Sequence, residues 1–129
     1  MKKFTITCTE EQLRLVANAV EDWSRFLCGQ CEMENAASLL DTYRELKDKL
    51  HDEVHPLVAP ELPLNASYGW SGGDCANKHQ KKAIAMSYGI YREIRHFFAL
   101  RNNSDSWNVY RGETLRCEEQ GPLIQIEEV

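Results

Sequence analysis

The sequence predicts an α+β fold, three helices packed on a small antiparallel sheet formed by the N- and C-terminal strands. Three observations carry that expectation. Phe4, Ile6 and Cys8 alternate with Thr5 and Thr7, the period-two pattern of a half-buried strand over residues 3–8. Three long stretches then repeat apolar residues at helical spacing. Near the other end, Trp107 and Val109 alternate with Asn108 and Tyr110 in a second strand pattern over Ser106–Arg111. Leu123–Glu127, after Gly121-Pro122, is a candidate last strand. A sheet this small is marginal alone, so its apolar face needs the helices.

The elements follow in order. Thr9 with Gln12 three residues on is a capping-box pattern. The helix it opens carries Leu13, Val16, Ala17, Val20 and Leu27 on one stripe, and Gly29 stops it. A second helix is predicted from about Glu32 to Val54, with Leu39, Tyr43, Leu46 and Leu50 on its buried face. Pro56, Pro60 and Pro63 end it, because proline lacks an amide donor and disfavours helix in the residue before it. His55–Asn65 then reads as an extended crossing. A third helix begins near Asp74, with Ala76, Ala83, Ile90, Ile94 and Phe97 on its core stripe. Asn102-Asn103-Ser104-Asp105 reads as a turn.

At 129 residues the chain has the length of one domain, taken as 1–129. Its hydrophobic content of 43% is enough for a real core. The net charge of −5 argues against binding a nucleic-acid polymer, which requires a basic surface to displace counterions. No apolar run approaches the roughly 20 residues that span a bilayer, so no membrane is implied. Polar threonines interrupt the N-terminus where a signal peptide needs an apolar run, which makes the cytoplasm the default. Five cysteines, an odd number without a secretion signal, read as free thiols rather than a disulfide framework. The exposed edges of a small sheet predict a homo-oligomer.

The segment richest in chemistry runs from Asn65 to Arg101. It opens with Asn65-Ala66-Ser67-Tyr68-Gly69-Trp70-Ser71-Gly72-Gly73, an aromatic and glycine-bearing loop. At about 100° per residue, Ile84, Tyr88, Tyr91 and Arg95 share one flank of the third helix, with Arg92 and His96 on the next strip. A loop folded against that flank brings Asn65, Tyr68 and Trp70 beside two tyrosines and two arginines. Aromatic faces stack on bases, and guanidinium forks bind phosphate. The glycine loop offers backbone N–H groups to an anion but lacks the Gly-Lys-Ser/Thr ending of a P-loop. The plainer account is that such tyrosines pack at a boundary and such arginines are solvated.

Other constellations are weaker. Cys28-Gly29-Gln30-Cys31 with Cys75 and His79 offers four zinc ligands, although loose spacing of this kind arises by chance. As a redox pair the two cysteines sit at the wrong, C-terminal end of a helix. His51 and His55 stand at i and i+4, but Asp52 occupies the place of the zincin glutamate. Lys78, His79, Lys81 and Lys82 form a basic cluster at the start of the third helix, and a solvated face accounts for it. Glu21-Asp22 reads as an ordinary polar helix face. No cofactor motif is present.

Asn65-Ala66-Ser67-Tyr68-Gly69, followed by Ala85-x-x-Tyr88-x-Ile90-Tyr91-x-x-Ile94-Arg95-His96, resembles a family of small bacteriophage and prophage proteins. In that family an Asn-Ala-Ser/Tyr-Tyr-Gly loop precedes a helix ending in Tyr-x-Ile-Tyr-x-x-Ile-Arg-His. The resemblance covers residues 57–110, and the rest agrees in layout. It implies no catalytic activity, so no catalytic residues carry over. The cysteine pair lies outside the family pattern, and Ser71-Gly72-Gly73 departs from it in detail. A phage setting implies a protein that acts by binding inside the infected bacterium. The expectation is an anti-defence sponge for a small anionic nucleotide ligand of cyclic dinucleotide or cyclic ADP-ribose type. Asn65, Tyr68, Trp70, Tyr88, Tyr91, Arg92, Arg95 and His96 are its candidate binding residues. The alternatives are a module that inhibits a host protein directly, and a hydrolase of nucleotide signals using His96 or the histidines at 51 and 55.

Overall fold

Thr9 caps the first helix, α1 (Glu10–Leu27), as its spacing predicts. Its hydroxyl accepts from the Gln12 amide at 3.1 Å, and the Thr9 amide donates to the Gln12 side chain at 2.9 Å. In this computed structural model, which describes residues 1–102 and 115–129, the helix ends at Gly29, whose φ of +100° needs no Cβ. A short helix α2 (Glu34–Ala37), a helix α3 (Tyr43–Lys49), a π-helical turn (Leu50–Val54) and a short α4 (His55–Val58) follow. The long helix α5 (Lys78–Arg101) packs along α1, and a 3₁₀ turn (Glu118–Gln120) packs against α5.

The predicted sheet is absent: no strand occurs among the described residues, and the fold is helical. Residues 1–8 lie exposed without a ladder, with Phe4 87% and Ile6 84% accessible. Leu123–Glu127 does use its alternation, but against helices. Ile124 and Ile126 pack on a core of Ala17, Ile94 and Phe98, joined by Leu13, Ile90 and Phe97. A period-two pattern names an apolar face; it does not supply a neighbouring strand to pair with. The expected strand at Ser106–Arg111 lies outside the described residues.

The predicted second helix is broken. Asp22 of α1 is buried and accepts the amides of Asn35 and Ala36 at 3.0 and 2.9 Å, so it holds the N-terminus of α2 against α1. The chain turns after Ala37, and Leu39, expected in the core, is 83% exposed. Helical structure also runs past Pro56 to Val58. Pro56 stands in the first turn of α4, where its missing donor does little harm. It cannot donate to the carbonyl four residues back. The π turn before it absorbs the mismatch, and the His55 amide reaches back five residues to Leu50.

The third predicted helix begins at Lys78 rather than near Asp74, because Asn77 and Gln80 form the capping box. Its inward stripe is Ile84, Ser87, Tyr91, Ile94 and Phe98. The predicted flank therefore contributes to the interior. Burial extends further round the helix because α1 and the 3₁₀ turn cover different sides. Gly89 leaves room for the Gln120 side chain of that turn, which a Cβ there would have to displace. A second core of Cys28, Ala59, Tyr68, Ala76 and Ile84 fastens the segment between α4 and α5. Val16, predicted inward, is 43% exposed.

Candidate ligand site on the aromatic edge of the long helix

The Asn65–Asp74 segment folds back along α5. Tyr68 is its anchor: the ring is buried in the second core, and its amide donates to the Cys28 carbonyl at 2.8 Å. Gln30 adds a side-chain bond to Ser67 at 3.2 Å. Two residues beyond the anchor, Trp70 rests on Tyr88, with ring centroids 5.3 Å apart and planes 30° apart. Tyr88 meets Tyr91 edge-on at 6.1 Å. Arg95 completes the row, its guanidinium 5.6 Å from the Tyr91 ring centre. Trp70, Tyr88 and Arg95 are half-buried, which leaves part of each surface open, whereas Tyr91, expected to face a ligand, is buried at 5% exposure and supports the row from within.

The remaining candidates are placed differently. Tyr68 is core. Arg92 is 2% exposed and among the largest fully buried side chains, so it is no open phosphate fork. His96 lies half-buried one position beyond Arg95. Asn65 is exposed and lines a separate cleft. The Gly72 amide is taken by the Gly69 carbonyl at 2.7 Å, so the loop is a closed turn rather than an anion nest. The stem of Lys81 packs against Gly72, which sets a second cation beside the same loop.

The cleft, about 650 Å³, lies between the end of α1, the turn after it and α3. Glu21, Asp22, Glu32, Glu34 and Asp48 line it against the fixed cations Arg25 and Lys47. Its acids have structural partners: Glu32 meets His51 at 2.9 Å, and Glu34 meets Lys47 at 2.9 Å and also accepts from Tyr43. The histidines at 51 and 55, whose i, i+4 spacing could serve a metal but whose plainer reading is a pair of solvated helix-end side chains, are likewise engaged within the fold. His55 is buried with its ring nitrogens 2.6 and 3.3 Å from the Gly29 and Leu62 carbonyls. The zinc set does not assemble: among the described residues no group of three or more His, Cys, Asp and Glu side chains is placed to hold a metal. Cys28 and Cys31 instead point at helix carbonyls, with Cys28 Sγ 3.0 Å from the Ser24 oxygen. Burial pushes both thiols up to about 11, which leaves little thiolate for redox chemistry.

Reading the sequence missed Glu21, which joins the cleft to the aromatic row. Burial raises its carboxyl pKa, but hydrogen bonds from Tyr91 and Asn35 and the charges of Arg25 and Arg95 outweigh that and leave it lowered. Burial, and then the bond to Glu21, push the Tyr91 phenol up to about 12. The Glu21-Asp22 pair was legible only as a polar strip, since neither partner is near in sequence.

The linkage has a sign. Tyr91 keeps its proton more tightly folded than unfolded. Its contribution is whole below the ordinary tyrosine value of 10 and is lost as pH climbs toward 12. Glu21 acts at the other end, losing its contribution as pH falls through its lowered value. The Tyr91→Phe variant is therefore expected to lose less stability than the parent between pH 10 and 12, read from urea midpoints. Equal slopes for the two proteins would break the assigned link.

Comparisons of the chain with protein-family models, with curated proteins and with solved structures find no match. Among the described residues no helix is long and apolar enough to cross a membrane.

Proposed function

We propose that this is a phage-type anti-defence protein that sequesters a nucleotide-derived signal of cyclic dinucleotide or cyclic ADP-ribose class without turning it over. The observation that carries the reading is the row of Trp70, Tyr88 and Tyr91 ending at Arg95. The half-buried rings of Trp70 and Tyr88 suit a base, the buried Tyr91 backs them, and a guanidinium at the end of the row suits a phosphate. The acid-rich cleft would repel such a ligand, so the reading assigns it to the row. The phage setting rests on the sequence resemblance.

Magnitudes decide what the site must contain. Capture at micromolar concentration needs about 8 kcal/mol. Two stacked bases supply roughly 2–6 kcal/mol. Stacking alone falls short, so charge-assisted bonds from Arg95 are required, each worth about 1.5–3 kcal/mol.

Calorimetry of the folded protein against cyclic dinucleotides and cyclic ADP-ribose isomers tests the reading. One of them is expected to bind at micromolar concentration or tighter and to be recovered intact. Arg95→Ala should weaken it at least tenfold, the equivalent of about 1.4 kcal/mol. Silence across the panel removes this class of function, and a converted ligand removes the claim that the protein only binds.

A further inference from the structure

Tyr88 has a cation two helical turns away on each side. Lys81, Tyr88 and Arg95 stand at i, i+7 and i+14 on α5. Seven residues fall short of two full turns by about 20°, so the three lie within an arc of about 40°. At 1.5 Å per residue, the two cationic residues are set about 10 Å before and after Tyr88 along the axis.

The loop fastens this strip at two points. Trp70 rests on Tyr88, and Gly72 rests on Lys81. Gly72 is buried with a φ of +91°, and a Cβ there would stand 2.8 Å from Lys81 Cγ and 3.1 Å from Lys81 Cα. So close an approach to the helix backbone requires glycine. The contact separates Lys81 from its basic neighbours: Lys78, His79 and Lys82 are exposed, whereas Lys81 is half-buried beside the loop. Its charge bears on Glu119 of the 3₁₀ turn, and that of Arg95 bears on Glu21.

We infer that the row takes a nucleoside with a separate phosphate on each side, and so selects cyclic dinucleotides over cyclic ADP-ribose, an inference that rests on the nucleotide reading of Trp70 and Tyr88. A base on those rings lies midway between the two cations, whose long stems let them lean toward it. In a cyclic dinucleotide each ribose is joined to two phosphates through different oxygens, so every base is flanked by charge. In cyclic ADP-ribose the phosphates are joined in one pyrophosphate, which engages one cation and leaves the other unused. A single-stranded polymer also offers a flanked base, but the net charge of −5 opposes it. A phosphate at either end competes with Glu119 or Glu21, which holds the expected gain per end to about tenfold.

Calorimetry of the full chain with adenosine 3′,5′-bisphosphate and adenosine 5′-diphosphate tests the inference. The two carry one base and two phosphates each, apart in the first and joined in the second. The bisphosphate is expected to bind about tenfold tighter. Lys81→Met keeps the stem beside Gly72 and drops the charge. It should weaken the bisphosphate and cyclic diadenylate about tenfold and leave the diphosphate and cyclic ADP-ribose within about twofold. Lys81→Arg should bind as the parent does. Equal affinity for the two adenosine probes, or a Lys81→Met protein that weakens all four ligands alike, overturns the inference. Cyclic ADP-ribose bound through Arg95, with cyclic diadenylate unbound, overturns it alone and leaves capture of a nucleotide signal standing. Silence of all four ligands removes both. An oligoadenylate that binds tighter than cyclic diadenylate overturns the choice of a cyclic ligand.

Discussion

Asp22→Ala is expected to destabilise the protein by about 3 kcal/mol, seen as a lower urea midpoint at unchanged slope. Asp22 is 4% exposed, and its carboxylate accepts three hydrogen bonds at 2.9–3.0 Å: the Asn35 and Ala36 amides and the Asn35 side chain. Bonds to a charged acceptor are worth about 1.5–3 kcal/mol each. Water reaches some of the freed donors once α2 loosens, which brings the sum down. For a domain with a total stability of about 5–15 kcal/mol the loss is large. Asp22→Asn should lose about half as much, because one acceptor oxygen remains. An alanine variant as stable as the parent would mean that α2 is not held through this carboxylate.

Ile94→Ala should have a comparable effect by a different route. Ile94 is fully buried where α5 meets Ala17 of α1 and Ile126 of the C-terminal segment. Truncation removes apolar burial and leaves a cavity, which together cost about 2–5 kcal/mol. Ile94→Val should cost only about 0.5–1.5 kcal/mol. Leu100→Ala, at a position 58% exposed on the same helix, should fall within about 0.5 kcal/mol of the parent. Thermal or urea unfolding of the three variants gives the order directly. Equal losses at positions 94 and 100 would contradict the placement of α5.

What could be read from the chain was local. Thr9 with Gln12 is complete within four residues, and the helix it starts is where the pattern put it. The limits of that reading show at Pro56. Its local chemistry says stop, but a π turn re-registers the backbone and the helix continues. Long-range facts were not legible. Asp22 looks like surface until Asn35 and Ala36 come back to it, and residues 3–8 look like a strand although no strand among the described residues lies beside them. The same holds at the candidate site. Trp70 does come to lie on Tyr88, as the loop-over-helix reading supposed. Tyr68 and Arg92 are drawn inward because α5 is covered on several sides, and a single helical period cannot reveal that.

The central claim is that Trp70 and its neighbours form the surface on which a nucleotide base lies. The most direct measurement is emission from a variant that keeps Trp70 alone, with Trp23→Phe and Trp107→Phe, titrated with cyclic dinucleotides and cyclic ADP-ribose. Saturable quenching of Trp70 is predicted, with Arg95→Ala shifting the midpoint to higher ligand concentration. Emission that stays unchanged while calorimetry records binding would place the ligand elsewhere and contradict the account.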